Sequence, residues 1–136
     1  MALFDWKNDY SVGVFNMDSH HKKLFDIINE LHDGMKEGKG GEAAESSIKE
    51  LLDYTKYHFA EEEKLMEQIG YSGMSAQKTA HKIFISKIEE FKKEADKGMA
   101  VFVSSKLVNT ALEWLKQHIL TMDKQYQEEM NTKGIR

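Results

Sequence analysis

Histidines and carboxylates recur along this chain at intervals that could assemble a metal site. His58 and Glu62 stand four residues apart, as do Gln77 and His81; His118 and Asp123 stand five apart, and His21 lies near the start. On an α-helix an i, i+4 pair is separated by only about 40° around the axis, so both members face the same site. Four imidazoles, two carboxylates and a carboxamide are nitrogen and oxygen donors, the set that suits iron, manganese, zinc or copper. They exceed the four ligands of a tetrahedral zinc, so one ion would leave donors unused, whereas two octahedral ions sharing bridging carboxylates would use them. The sequence contains no cysteine, which removes disulfide scaffolds, iron–sulfur clusters, zinc ribbons and thiol catalysis together.

Donors so far apart in sequence can meet only if long elements carry them to one place. The chain contains no proline, the commonest interrupter of helices, and helical periodicity appears four times between short glycine-bearing breaks. An arm of residues 1–17 precedes a first helix expected over 18–36, with Asp18 as its N-cap and His21, Leu24, Phe25, Ile28, Leu31 and Met35 on its inward stripe. Gly38-Lys39-Gly40-Gly41 ends it. A second helix over 42–68 carries Ile48, Leu51, Leu52, Thr55, His58, Phe59, Glu62, Leu65, Met66 and, at its end, Ile69 inward and ends at Gly70-Tyr71-Ser72-Gly73. A third over 75–97 presents Gln77, His81, Phe84, Ile85, Ile88 and Phe91, with Gly98 as its C′ residue. A fourth over 104–131 presents Leu107, Ala111, Trp114, Leu115, His118, Ile119, Met122, Asp123 and Tyr126. The fold class is therefore all-α: one domain of 136 residues, an antiparallel up-down-up-down four-helix bundle.

In that topology the start of the first helix, the end of the second, the start of the third and the end of the fourth share one end of the bundle. His21, His58, Glu62, Gln77, His81, His118 and Asp123 all fall there. Their stripes offer no lysine or arginine at that level, and an unpaired buried carboxylate costs several kcal/mol. A metal-free interaction bundle would thus leave two carboxylates without partners. The spacing of His118 and Asp123 is the weak point, because five residues rotate an ideal helix by about 140°. They can share a site if both side chains reach around a seam or if a local π-bulge closes the gap.

Other polar residues read more plainly. His32 lies about 16 Å along the axis from His21 and belongs to the opposite end of the bundle. His20 turns about 100° away from His21, to lie behind the site or in solvent, and is the obvious stand-in if the site needs another nitrogen. Glu61 and Glu63 fall off the stripe, on a solvated face. The methionines, Met66 and Met122 included, read as core filling.

The composition narrows the function further. With 19 basic and 23 acidic residues the net charge is −4, which repels a phosphate backbone, so nucleic acid is not an expected partner. No stretch reaches the roughly 20 apolar residues that span a bilayer. The opening Met-Ala-Leu-Phe-Asp-Trp lacks a signal peptide's basic and apolar regions, so a cytoplasmic location is expected. Glu-x-x-His pairs on two helices would mark a ferritin-like oxidase, and His-Glu-x-x-His a zinc hydrolase; neither motif occurs.

Over nearly its whole length the chain resembles the bacteriohemerythrins, the single-domain prokaryotic relatives of the hemerythrins. The resemblance is carried by Asp18-Ser19-His20-His21, by His58-x-x-x-Glu62, by Gly70-Tyr71 leading to Gln77 and His81, and by Trp114 ahead of His118-x-x-x-x-Asp123. It implies reversible dioxygen binding, for transport, storage or delivery, at a non-haem di-iron centre. Glu62, Asp123 and an oxo or hydroxo group would bridge the two irons. His21 and His58 would ligate the iron with an open position; position 77, His81 and His118 would fill the other. Leu24, Phe59, Trp114, Leu115 and Ile119 would line an oxygen pocket that excludes water. Position 77 departs from the family pattern, which has histidine there. Gln77 could offer its amide oxygen or leave water on that iron, the latter favouring a peroxidase- or oxidase-type enzyme; an oxygen or redox sensor is the other alternative. A non-enzymatic protein acting as a monomer, with delivery to an oxygen-consuming protein as one use, is the expectation.

Overall fold

The computed structural model describes residues 4–38 and 41–136, apart from the side chain of residue 42. Four long helices, α1 (Phe15–Lys36), α2 (Gly41–Ile69), α3 (Met74–Glu94) and α4 (Ala100–Thr121), pack each against the next and α4 back against α1, in the expected up-down-up-down bundle. A short α5 (Gln127–Thr132) follows. The predicted break at Gly38-Lys39-Gly40-Gly41 lies partly outside the described residues. Fully buried Ile28, Ile48, Leu51, Ile88 and Leu107 fill the bundle beyond the polar end.

Four local features differ from the sequence reading, and each has a physical cause. Asp18 is not the N-cap of α1: its own N–H already donates to the Val14 carbonyl at 2.9 Å, one turn inside a helix that begins at Phe15. Its carboxylate instead accepts from the Val12 N–H at 2.8 Å and the Ser11 hydroxyl at 2.6 Å, which ties the arm to the first turn. There a negative charge also suits the helix dipole. The third helix does not continue to 97; it gives way to a π turn, Ala95–Met99, in which Gly98 takes φ 89°. A side chain at that φ would be strained, so the corner depends on glycine. α4 starts at Ala100 rather than 104, since Ala100, Val103 and Ser104 extend its buried stripe.

The fourth predicted helix does not run unbroken to 131. It stops at Thr121; Met122 (φ −111°, ψ −52°) leads into a tight 3-10 turn, Asp123–Tyr126, before α5. This turn, and not a π-bulge or a pair of side chains reaching around one helix, puts Asp123 on the same site as His118.

The turn between α2 and α3 is set by Gly70. Its φ of 64° lets its own N–H donate to Glu67 at 3.1 Å and the Tyr71 N–H donate to Met66 at 2.9 Å, closing the helix end in a Schellman motif. The short reversal lays the start of α3, with Gln77 and His81, beside the end of α2, with His58 and Glu62.

Candidate metal centre

His21 comes from α1, His58 and Glu62 from α2, Gln77 and His81 from α3, His118 from α4 and Asp123 from the 3-10 turn, and all seven are at least 95% buried at one end of the bundle. The two carboxylates organise them. Glu62 turns Oε1 to His81 Nε2 at 3.0 Å and Oε2 to His58 and His21 at 3.6 and 3.7 Å. Asp123 turns Oδ1 to His118 Nε2 at 3.1 Å and Oδ2 to His21 Nε2 at 3.3 Å. Each carboxylate therefore gives one oxygen to the α1–α2 side and one to the α3–α4 side.

Surrounding groups hold these orientations. The Tyr126 hydroxyl donates to Glu62 Oε2 at 2.8 Å, and Gln77 Nε2 donates to Asp123 Oδ1 at 2.9 Å. Behind His81, Nδ1 meets the Glu63 carboxylate at 2.8 Å. Behind His58, Nδ1 meets His20 Nδ1 at 3.0 Å. Phe59 lies flat on His81, with ring centres 3.7 Å apart, and Trp114 lies flat on His118 at 4.4 Å and on Phe84 at 4.1 Å.

One expectation is corrected here. Glu63 is not on a solvated face: it is half-buried and orients His81, a role that its spacing from Glu62 could not show because the partner is on another helix. His20 lies behind the site, as its turn away from His21 predicts, with its Nδ1 against His58. Tyr126 was legible as an inward residue but not as a hydrogen-bond donor, although a buried phenol normally needs a partner. Of the expected pocket residues, Leu24, Phe59, Leu115 and Ile119 are buried and Trp114 is half-buried.

The carboxylates are not stranded without metal, as the sequence reading supposed. Burial alone would lower the pKa of His21, but the close contact and charge of the Asp123 and Glu62 carboxylates outweigh it and raise it to about 9. His81, buried yet facing Glu62, is raised as well. Burial would raise both carboxylates, but His58, His21 and His81 hold Glu62 well below its usual range, and His118 and His21 lower Asp123. His58 is lowered to about 3, chiefly by burial.

These shifts fix the pH dependence of the metal-free protein. His21, with its folded pKa raised from 6.5 to about 9, stabilises the fold fully below 6.5 and loses that contribution as pH rises through 9. His58, lowered from 6.5 to about 3, acts oppositely: the unfolded chain takes a proton that the fold refuses, so stability falls as pH drops below 6.5. Glu62 and Asp123, both lowered, add to the loss in acid. The thermal midpoint of chelator-treated protein is therefore expected to peak near pH 6.5 and fall on both sides, by about 3 kcal/mol of stability toward pH 9. A flat profile from pH 5 to 9 would contradict these shifts.

Protonated histidines balance charge but do not satisfy the site. Nε2 of His21, His81 and His118, Oε1 of Glu62 and Oε1 of Gln77 are buried, and none completes a hydrogen bond. Such orphaned atoms cost about 1–3 kcal/mol each. Once deprotonated such atoms are lone-pair donors, and potential ligand atoms fall in two groups, each with its members within 4.8 Å of one another: Glu62, His81, His118 and Asp123 in one, His21, His58 and Glu62 in the other. The donor set fits two cations that share Glu62.

Residues 12–129 match the family model for the hemerythrin HHE cation binding domain. The chain belongs to the hemerythrin family. It is 37% identical over 126 residues to the bacteriohemerythrin of Pseudomonas aeruginosa, covering 93% of this chain and 80% of that one. A hemerythrin chain of Sipunculus nudus is 32% identical over 123 residues, 90% of each chain. A crystal structure of wild-type hemerythrin superposes with a TM-score of 0.86 at 30% identity, covering 93% of this chain and 97% of that one. In this hemerythrin fold no described helix is long and apolar enough to cross a membrane. The family implies non-haem iron, and the orphaned nitrogen and oxygen donors are of the type that iron takes.

Proposed function

We propose that this chain binds dioxygen reversibly at a dinuclear iron centre held by His21, His58, Glu62, Gln77, His81, His118 and Asp123. The observation that carries the reading is the division of both carboxylates, one oxygen to each side, which is the disposition of bridging ligands. Membership of the hemerythrin family, with relatives in bacteria and a sipunculid, supports it.

A pair of iron ions held there would supply the two electrons that dioxygen takes up on binding and returns on release. The chain's own residues set the conditions. His21 and His58 give their side only two imidazoles besides the carboxylates, which leaves room for an exogenous ligand. His81 and His118 would fill the other side, and Gln77 could offer its amide oxygen, a buried atom left without a partner. Its nitrogen stays on Asp123, because turning the amide over would set its oxygen against an ionised carboxylate. Tyr126 keeps Glu62 in its bridging orientation. Leu24, Phe59, Trp114, Leu115 and Ile119 exclude water, which limits irreversible oxidation. This is a carrier or store, not an enzyme, and it acts as a single chain that can pass oxygen to a consuming protein.

The test is spectroscopic. Iron-loaded, anaerobically reduced protein is expected to gain a visible absorption band in air that bleaches under argon and returns over repeated cycles. A band that forms once and decays, with catalytic loss of added peroxide, would replace the carrier reading with an enzymatic one.

A further inference from the structure

We propose that the two halves of the centre fill in order, the His81–His118 half first, and that His20 sets the weaker affinity of the His21–His58 half. The inference rests on the dinuclear reading and concerns what stands behind the ligands. Four donors lie mutually within 4.8 Å on the first side, Glu62, His81, His118 and Asp123, and three on the second, His21, His58 and Glu62, which Asp123 Oδ2 meets through His21 at 3.3 Å. The backing differs as well. His81 Nδ1 hydrogen-bonds the Glu63 carboxylate at 2.8 Å, whereas His58 Nδ1 meets an imidazole, His20, at 3.0 Å, and His21 Nδ1 is buried with no partner.

A carboxylate behind an imidazole fixes its tautomer, strengthens it as a donor and adds a negative charge near the dication. A neutral imidazole does only the first of these. For His58 to present Nε2 to a metal, its Nδ1 must carry the proton, and His20 Nδ1 must accept it. The proton of His20 then sits on Nε2. Ring contacts with Tyr54, edge-on at 5.9 Å, and Tyr57 at 5.3 Å hold His20 in this pose. His20 is thus a positioning residue: it fixes how His58 is presented, yet lends the metal no charge. An ion already in the His81–His118 half also takes up much of the negative charge of the shared Glu62, which weakens the second step further.

The experiment is a titration of metal-free protein with cobalt(II) alone, followed by histidine ring resonances. Two steps are expected, the first equivalent shifting or broadening His81 and His118, the second His21 and His58. His20→Leu should weaken the second step about 10- to 100-fold and leave the first in place. His20→Gln, whose amide oxygen can accept the same hydrogen bond, should restore it to within a few-fold, and His20→Glu should tighten it until the two steps merge. All four rings responding together in the unaltered protein, or His20→Leu moving the first step or neither, would overturn the proposal. Uptake of fewer than two cobalt ions per chain would instead overturn the dinuclear reading beneath it. A far-ultraviolet dichroism spectrum of each variant separates lost affinity from lost fold.

Discussion

Glu62→Gln is expected to cut bound iron from two ions per chain to less than one while leaving the helices intact. Glu62 is the one residue common to both donor groups, so its loss strikes both halves at once. An amide keeps the shape of the side chain, and its oxygen can still accept from Tyr126, so the bundle should fold. It cannot use both of its terminal atoms as anionic donors, because one is now a nitrogen that carries hydrogens. The metal-free site also loses the partner that His58, His21 and His81 share. Glu61→Gln, one residue away and outside both groups, should bind iron as the unaltered chain does. Iron determination after desalting, with a dichroism spectrum on the same samples, reads both outcomes. Two ions retained by Glu62→Gln would mean that the halves are held independently.

Loading the site is the second large effect. The unfolded chain holds no arrangement of these donors, so metal binding adds its free energy to folding. At free metal a thousandfold above each dissociation constant the gain is about 4 kcal/mol per site, roughly 8 kcal/mol for two. For a chain of this size that corresponds to a rise in thermal midpoint of roughly 20–30 °C. A chelator should reverse it, and the fall in stability above pH 6.5 should vanish in the loaded protein, because a liganded His21 has no proton to lose. Calorimetry with and without ferrous ion under argon gives both numbers. A shift of only a few degrees would show a weakly held or single ion.

The sequence carried the helices and the seven donors because both depend on local periodicity. A stripe repeating every three or four residues appears in the chain itself, and so does a polar residue that interrupts it. The break at Met122 did not appear, since Tyr126 and Met130 continue the helical pattern across it and nothing in their spacing announces a 3-10 turn. That break is what makes the five-residue interval from His118 to Asp123 workable. Asp18 looked like a cap because its residue type is right for one, but Val14 precedes it in extended conformation and the carboxylate serves the arm instead. Glu63 and His20 show the deeper limit. Each lies one residue from a ligand, yet each supports a ligand on a different helix, His81 and His58, so only the packed bundle reveals the pairing.

Anomalous diffraction at the iron edge from crystals of iron-loaded protein goes most directly to the paired-metal site. Two peaks are expected at the buried end of the bundle, one against His21 and His58, the other against His81 and His118, each in contact with both Glu62 and Asp123. A single peak, or density that leaves either carboxylate touching only one ion, would contradict it.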